Sequence, residues 1–482
     1  MHLLEAKNMK NQQNSNFKAT YCQSLVARTL NKYPNSGFYF AIYRIKGNRD
    51  VAKSQIRALQ YLFFSRHPVC NAIYHLKDDG SLCGSIIQQT KNSDAFLEIE
   101  AENWSASDIN QYLCHFFEKT PLNIDRGPIT RLFVFYTSSE EFVFALCSQH
   151  IAFDTYSFVM IRQEMEALMK LEASCQPYTL PPVKADFLGY AAWEKQLCSS
   201  NKGIPRAHYW RETLNNYQAV DLPIDYPRDK ESIPTLRPLY IMTRQQTHEL
   251  RKAARGHGCT ISTLMTGAYM LTLSLFSKQQ NIVICSLILL RLSEPQFIHA
   301  FGNIIDYLPI AATINPKLSL QESIKILLGA QKNSKQNYLP LGRILEELNL
   351  DWLSQPTPLV QCFINYMPSK KNIPPILLST PEENNISPFP GFLEELPAPF
   401  QAETVERQEM ALFYSRYNGL IRWRFSDRVD LFKPESMERI EKLFLMVLTS
   451  LFDKNNNSTL KVSEIEEKYP DTALSLTVRD DC

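Results

Sequence analysis

The most informative pattern in the chain is a run of consecutive apolar residues followed by a helical repeat. Residues 142–146 are all apolar, which predicts a strand buried on both faces. After Asp154 the apolar positions recur with helical spacing, which predicts a helix over 158–168. The stretch between them therefore holds His150 and Asp154 in a loop at the end of a buried strand. An imidazole in such a place can exchange a proton near neutral pH, so His150 is a candidate for chemistry.

Strand and helix patterns alternate along most of the remaining chain. Period-two and continuous apolar runs predict strands at 38–45, 72–77, 82–88, 129–136, 142–148, 282–288, 359–366, 410–417 and 420–425. Helical spacing, with a cap at Asp50 and Pro434 in the first turn of the final helix, predicts helices at 50–63, 107–119, 187–193, 244–254, 260–276, 320–335, 341–348 and 434–452. The segment 301–309 is expected to be a loop. This alternation predicts an α/β fold built from two halves of similar plan.

The length of 482 residues is too great for one ordinary domain, so two are expected. A segment with several prolines at 176–184 predicts the linker between them. The expected organisation is a flexible tail over 1–18, an N-terminal lobe over 19–178, a C-terminal lobe over 179–454 and a polar tail over 455–482. The proline-rich segment 372–399 is expected to form a long crossover loop within the second lobe.

Composition excludes several classes of function. A net charge of +1, from 51 basic and 50 acidic residues, gives no reason to expect nucleic acid or a membrane as partner. Eleven scattered cysteines without a paired motif, and a polar N-terminal stretch, predict reduced thiols and a cytoplasmic location. The nine histidines show no metal-binding spacing, so no metal site is expected. Neither a phosphate-binding glycine loop nor the nucleophile elbow of serine hydrolases is present.

A histidine beside an apolar strand is most often a hydrogen-bonded structural residue, so the surroundings of His150 decide its interpretation. The spacing from His150 to Asp154 resembles the His-His-x-x-x-Asp-Gly signature of condensation domains and chloramphenicol acetyltransferases. His150 matches the second histidine, which is the catalytic one in that family, and Asp154 matches the aspartate. Two positions depart from the signature, because Gln149 replaces the first histidine and Thr155 replaces the glycine.

Further segments resemble condensation-domain motifs in the family's order and spacing over about residues 20–452. They lie at 66–68, 125–128, 187–193, 302–309, 337–341 and 358–361. Two more departures occur within them. Asn71 stands where the family usually has arginine, and Asp306 takes the place of an asparagine. The chain is therefore identified as a stand-alone member of the nonribosomal-peptide condensation domains.

The resemblance implies a fold and an activity. The fold would be two acetyltransferase-like lobes in a V-shaped pseudo-dimer with a central tunnel. The activity would be acyl transfer from a thioester to an amine or a hydroxyl group. No cofactor would be bound covalently, since the substrate itself carries phosphopantetheine or coenzyme A. The expected partners are an acyl or peptidyl carrier protein and a small-molecule acceptor, and the expected state is a monomer.

The resemblance also assigns roles to residues. His150 would be the catalytic base or a positioning residue for the acceptor. Asp154 would be structural, with Arg291 at the end of the run 282–290 as its cationic partner. The alternative is that Asp154 only caps the following helix and that Arg291 points to solvent. The resemblance places four residues beside the tunnel, where Thr155 would narrow the path: Gln149, Thr155, Ser157 and Asp306.

Two functions of different class remain open from the sequence. The first is a condensation-type acyltransferase of secondary metabolism, with a coenzyme A-dependent alcohol acyltransferase as a variant that differs in donor and acceptor. The second is a catalytically impaired module that binds a carrier protein or recruits a partner enzyme. The departures Gln149, Thr155 and Asn71 favour the second function, and the intact pair of His150 and Asp154 favours the first.

Overall fold

The structure is a computed structural model that describes residues 16–33, 38–46, 60, 63–77, 81–87, 95–154, 156–157, 160, 164, 183, 185–230, 232, 234–366, 393–395, 407–452, 459–468 and 477–479. Contacts between residues divide the chain into two units. The first unit comprises Met1–Leu197, Leu289–Ile305 and Pro375–Thr404, and the second comprises Cys198–Ile288, Asp306–Pro374 and Val405–Cys482. Each unit mixes helices with β-sheet, as the sequence predicted.

Two sheets form the first unit in the described part of the chain. A three-stranded sheet has the order β1 (Asn16–Lys18), β4 (Leu82–Ile86), β3 (Ala72–Leu76). A five-stranded sheet has the order β13 (Leu393–Glu395), β2 (Phe38–Lys46), β7 (Glu141–Gln149), β6 (Thr130–Tyr136), β5 (Phe96–Glu100). The helices of this unit are α1 (Tyr21–Lys32), α2 (Ala106–Lys119), α3 (Phe187–Ser199) and the single turn α7 (Leu290–Ser293).

The predicted buried strand is β7, which has antiparallel neighbours on both sides. It pairs with β2 along one edge and with β6 along the other, and every residue after Glu141 in it is buried. One face of this sheet packs against α2 in an apolar cluster that includes Leu113, Phe117 and Phe133, and the rings of Phe117 and Phe133 lie 5.7 Å apart. A strand without a free edge or an exposed face holds its last residues firmly, and His150 follows directly after β7.

The second unit contains one large sheet in the described residues. Its order is β11 (Ile305–Thr313), β10 (Asn281–Leu289), β12 (Cys362–Tyr366), β14 (Met410–Tyr417), β15 (Leu420–Arg428), β9 (Leu239–Ile241), β16 (Thr477–Arg479), with β8 (Pro234–Leu236) also paired to β15. The helices are α4 (Gly203–Thr213), α5 (Arg244–Gly256), α6 (Ile261–Ser277), α8 (Leu320–Gln336), α9 (Leu341–Leu348), α10 (Pro434–Phe452) and α11 (Ile465–Lys468).

The core of the second unit is centred on α6. This helix is buried from Leu264 to Phe276, and its Ser and Thr hydroxyls donate mainly to carbonyls one turn earlier, as Thr272 does to Ala268. In the described residues no helix by itself has the length and apolar character needed to cross a membrane, although α5 and α6 taken together, bent by 92°, meet that requirement.

Three expectations about local structure were wrong. The segment 301–309 was expected to be a loop, but β11 begins at Ile305, because its apolar residues pair with β10 despite Pro309. The tail 1–18 ends in β1, which pairs with β4. The tail 455–482 returns to the core at Leu460, Val462 and Ile465, whose apolar side chains are buried there.

The units also differ from the lobes expected on either side of residue 178. The structure assigns α3 and Leu289–Ile305 to the first unit. Tyr190 of α3 packs edge-on against Phe297 at 5.5 Å, and the Glu194 carboxylate accepts from the backbone N–H of Tyr21 at 2.8 Å. These contacts tie α3 to the first unit. The description as two acetyltransferase-like lobes stays a prediction.

Several other expectations fall largely outside the described residues. They are the helix after Asp50, of which residues 60 and 63–66 are described, the helix 158–168, of which residues 160 and 164 are described, the linker 176–184, of which residue 183 is described, and the crossover 372–399, of which 393–395 are described. Residues 393–395 form β13 in the sheet of the first unit, so the expectation that they belong to a loop of the second lobe was wrong.

Candidate active site

His150 occupies a single tight turn, His150–Ala152, that leads out of β7. Its side chain is partly exposed, whereas the next three residues are buried. The amide of Gln23, on α1, donates to the carbonyl of Ile151 at 2.9 Å. The turn is thus held by the end of a rigid strand and by a neighbouring helix.

The hydrogen bond of the imidazole determines where its proton lies. Nδ1 of His150 is 2.9 Å from the carbonyl oxygen of Phe153. A carbonyl oxygen only accepts, so Nδ1 carries the hydrogen and donates it. In the neutral ring the lone pair then lies on Nε2, which is the form needed to accept a proton from a substrate.

The imidazole is only partly exposed, and its loss of hydration lowers the pKa of His150 below its usual 6.5, because it disfavours the charged ring. The hydrogen bonds to backbone carbonyls and the negative charge of Asp154 act in the opposite direction and do not reverse the shift. His150 is therefore neutral at physiological pH.

Asp154 and Arg291 form a buried ion pair. Nη1 of Arg291 donates to Oδ2 of Asp154 at 2.5 Å. The sequence-based prediction of this contact is confirmed. The predicted alternative is also partly present, because Oδ1 of Asp154 accepts from the backbone N–H of Ser157 at 2.9 Å, the contact of a helix N-cap.

Arg291 has partners for the rest of its guanidinium. Nε and Nη2 donate to the carbonyl of Ala300 at 3.2 and 2.9 Å, and Nη2 also donates to the carbonyl of Gly302 at 2.8 Å. Only 1% of the residue is exposed. A buried cation needs such a set of acceptors, and they fix the shape of the chain around 300–302.

The predicted site residue Ser157 joins the same network. Its Oγ is 2.9 Å from Oδ1 of Asp154 and 3.1 Å from the carbonyl of Gly302, and it accepts from the Gly302 N–H at 3.1 Å. The backbone N–H of Ile304 donates to Oδ2 of Asp154 at 2.9 Å. The loop 300–304 is thereby bound to the segment that follows His150.

The structure brings Asn303 to His150, which the sequence analysis missed. The amide nitrogen Nδ2 of Asn303 lies 2.9 Å from the carbonyl oxygen of His150 and 3.3 Å from its Nδ1. Asn303 is completely buried. No spacing in the sequence indicates this contact, because it depends on the conformation of a loop about 150 residues further along the chain.

Asp306 lies in the second unit. Its carboxylate accepts from the hydroxyl of Tyr338 at 2.8 Å and from the backbone N–H groups of Tyr307 and Leu341 at 2.7 and 3.3 Å. Burial raises the pKa of Asp306 to about 7, although these donors favour the ionised form. Its placement beside a substrate remains a prediction.

The sequence and the fold of this chain resemble those of known proteins. The family profile described as "Condensation domain" matches residues 20–468. The chain belongs to the condensation-domain family. A linear gramicidin synthase protein of Brevibacillus parabrevis is 28% identical over 262 residues, which are 52% of this chain and 5% of that protein. Bacitracin synthase 2 of Bacillus licheniformis is 20% identical over 424 residues, 87% of this chain and 15% of that synthase.

Solved condensation-type structures share the fold of this condensation domain. The X-domain in complex with OxyB from teicoplanin biosynthesis has a TM-score of 0.74 at 16% identity, covering 94% of this chain and 96% of that one. The starter condensation domain of rhizomide synthetase, in complex with C8-CoA, has a TM-score of 0.66 at 13% identity, covering 95% and 98%. The chain spans only 4–8% of the length of the first four curated relatives.

Besides Asp306, two of the residues at which this condensation domain departs from the family motifs have described surroundings. Gln149 is buried, and its Oε1 has no hydrogen-bond partner among the described residues. Asn71 donates to the Phe64 carbonyl at 3.4 Å, and within the same set of residues its Oδ1 also lacks a partner. Thr155 lies outside the described residues.

Proposed function

We propose that this condensation domain is an acyltransferase in which His150 is the general base. The observation that carries the proposal is the hydrogen bond from Nδ1 to the Phe153 carbonyl, which leaves the lone pair of the neutral ring on Nε2. The lowered pKa of His150 keeps this form populated at neutral pH. Asp154 and Arg291 have a structural role, since their ion pair holds the loop on which the histidine sits.

The reaction would proceed by direct transfer. Nε2 of His150 takes the proton of an amine or hydroxyl group as that group attacks the carbonyl carbon of a thioester. The new C–N or C–O bond forms and the C–S bond breaks. The imidazolium then returns its proton to the departing thiolate, so that the ring ends the cycle neutral. Both reactants would gain from being held side by side, because a bimolecular step becomes effectively intramolecular.

The proposal extends to substrates and partners. The acyl donor would be a thioester on phosphopantetheine, carried by an acyl or peptidyl carrier protein or by coenzyme A, and the acceptor a small molecule of secondary metabolism. The protein would act as a cytoplasmic monomer whose lobes form the V-shaped pseudo-dimer and tunnel implied by the family, with Gln149, Thr155, Ser157 and Asp306 beside the tunnel.

A second function, an inactive module that binds a carrier protein or a partner enzyme, is favoured by other observations. Gln149 and Asn71 depart from the family motifs, and each keeps a buried side-chain oxygen without a hydrogen-bond partner among the described residues. The similarity to an X-domain that was solved in complex with OxyB supports the same alternative.

The experiment is intact-mass analysis of acyl-loaded carrier proteins and of acyl-coenzyme A, incubated with candidate amines and alcohols. Loss of the acyl group that depends on both enzyme and acceptor supports acyl transfer. His150→Ala should slow this loss by roughly a hundred- to ten-thousand-fold. His75→Ala is the matched control, because His75 is an exposed histidine of the same unit. Equal rates for His150→Ala and the wild type would refute the role of His150, whereas carrier binding without transfer would favour the second function.

A further inference from the structure

Asn303 is a fully buried amide that contacts His150 from a distant part of the sequence. Its Nδ2 donates to the His150 carbonyl at 2.9 Å, and the thiol of Cys22 faces its Oδ1 at 3.8 Å. These two neighbours fix the orientation of the amide. In the flipped orientation two oxygens, Oδ1 and the His150 carbonyl, would face each other, and both are acceptors.

The same amide competes with Phe153 for the side chain of His150. Nδ1 lies between an acceptor, the Phe153 carbonyl at 2.9 Å, and a donor, Nδ2 of Asn303 at 3.3 Å. One ring nitrogen cannot donate to the first and accept from the second. The shorter contact is the one to Phe153, and the Asn303 amide already has an acceptor in the His150 carbonyl. The N–H groups of Asn303 then present positive partial charge to the imidazole, which opposes a second proton on the ring.

The position of Asn303 is set by the residues on either side of it. The Gly302 carbonyl accepts from Arg291 and also lies within hydrogen-bond distance of the Ser157 hydroxyl, which accepts from the Gly302 N–H. The Ile304 N–H donates to Asp154. The ion pair of Asp154 and Arg291 thus holds the backbone before and after Asn303. Any shift of that pair moves the amide relative to His150.

We propose that Asn303 is a positioning residue, which links the Asp154–Arg291 pair to the backbone carbonyl of His150 and opposes the charged form of the imidazole, while the Phe153 carbonyl selects the tautomer. For its effect on turnover this inference rests on the proposed acyl transfer. Its effect on the imidazole does not, since the protonation state can be observed without a substrate. In the part of the chain that the structure describes, the charged and titratable groups around His150 include Asp154, Arg291 as the partner of Asp154, and Cys22 through Asn303.

The test is ¹⁵N NMR of protein labelled at its nine histidines, with the His150 signals assigned by their loss in His150→Gln. The wild type should show a protonated Nδ1 and an unprotonated Nε2 at neutral pH. Asn303→Asp replaces the donor with a carboxylate that can accept from Nδ1 and attract the imidazolium, so the His150 pKa should rise by about one unit or more. Asn103→Asp is the control, because it adds the same charge at an exposed position of the same unit.

The second variant is Asn303→Leu, whose side chain is similar in size to that of asparagine but has no N–H group to donate to the His150 carbonyl. It should lower kcat roughly tenfold at unchanged KM, since the His150 carbonyl loses its donor and the ring is held less firmly. A His150 pKa and tautomer that are the same in Asn303→Asp, Asn303→Leu and the wild type would overturn the proposal, as would an equal pKa shift in Asn103→Asp. If the NMR shifts occur but no acyl transfer is found, positioning by Asn303 stands and the proposed function falls.

Discussion

Arg291 and Asp154 are 137 positions apart in the sequence, and their side chains meet at 2.5 Å with 2% and 0% of their surfaces exposed. The carboxylate also accepts from two backbone N–H groups, and the guanidinium also donates to two carbonyls. Each charge is therefore satisfied on several sides. Such a pair shapes a loop strongly, because neither partner can be removed without leaving an unpaired charge in apolar surroundings.

Asp154→Ala is expected to destabilise the protein by roughly 3–5 kcal/mol, because Arg291 becomes an unpaired buried cation. Urea unfolding measures the change in the free energy of unfolding. The control is Asp125→Ala, because Asp125 is an exposed aspartate of the same unit. The double variant Asp154→Leu, Arg291→Met removes both charges together. Its loss of unfolding free energy should be clearly less than the sum of the losses of the single variants Asp154→Leu and Arg291→Met. Additive losses would show that the two residues are not coupled.

The sequence allowed this pair to be predicted, since each partner follows a continuous apolar strand and each resembles a family position. The run 142–146 also predicted β7 correctly, because a strand buried on both faces has no polar position to interrupt it. The edge strand β5 was missed, since it is only partly buried and its glutamates obscure the pattern. Pro309 and Asp306 likewise disguised β11 as a loop.

His150 predicts a specific dependence on pH. Because its pKa in the folded protein lies below 6.5, kcat/KM should be at its plateau at neutral pH and should fall to half of that plateau only at a pH below 6.5. The free enzyme's profile, measured at low substrate concentration, reports this pKa. A profile that falls at pH 7 or above would contradict the burial of a neutral imidazole.

The lowered pKa of His150 also makes the stability of the protein depend on pH. The unfolded chain binds a proton at His150 near pH 6.5, whereas the folded protein does so only at lower pH, so acid favours unfolding over this interval. The stability of His150→Gln should therefore be less sensitive to acid than that of the wild type as the pH falls below 6.5. Differential scanning calorimetry at several pH values makes the comparison, and parallel curves for both proteins would refute it.

The raised pKa of Asp306 predicts the opposite pH dependence of stability, with a loss as the pH rises. Its folded pKa of about 7 exceeds that of the unfolded chain, so wild-type stability falls as the pH rises from about 4 to about 7. Asp306→Asn cannot ionise; its amide oxygen can accept from the N–H groups of Tyr307 and Leu341, and its NH2 group can donate to the Tyr338 hydroxyl, which is able to accept. It should stabilise the protein by on the order of 1–3 kcal/mol at pH 8 and by nothing near pH 3.

Thermal melts of the wild type and Asp306→Asn at pH 3, 5 and 8 provide the measurement. Asp229→Asn, at an exposed aspartate of the second unit, is the control and should have no effect. A gain that does not change with pH would indicate better packing rather than the removal of a charge.

Gly302→Ala should damage the loop beside His150. Gly302 has φ +146°, and an added Cβ would lie 2.2 Å from the ring of the buried Phe187. The backbone must then shift, which should cost at least about 2 kcal/mol and lower kcat by moving Asn303. Gly329→Ala, at a helical glycine with open space around it, is the matched control and should stabilise the protein slightly. Equal melting temperatures for the two variants would contradict this account.

Asn303 marks the limit of what the sequence could provide. The family resemblance located Gly302 as the start of a motif, and it assigned no role to the residue that follows. An amide can cap, turn or face solvent, and its function here arises only from the folded path of 300–304 around Arg291. Residues that act through loop geometry leave no periodic pattern along the chain.

The discontinuity of the first unit affects how the protein is made. Synthesis proceeds at about 5–20 residues per second. The first 197 residues therefore leave the ribosome long before Leu289–Ile305, which belongs to the same unit. For roughly 7–30 s the nascent chain holds Asp154 without Arg291, and His150 without Asn303. The strands β2, β6 and β7 can pair during this interval, but the turn after β7 acquires its final form only when the later segment arrives. The surroundings of His150 are therefore completed only after most of its own unit has already been produced.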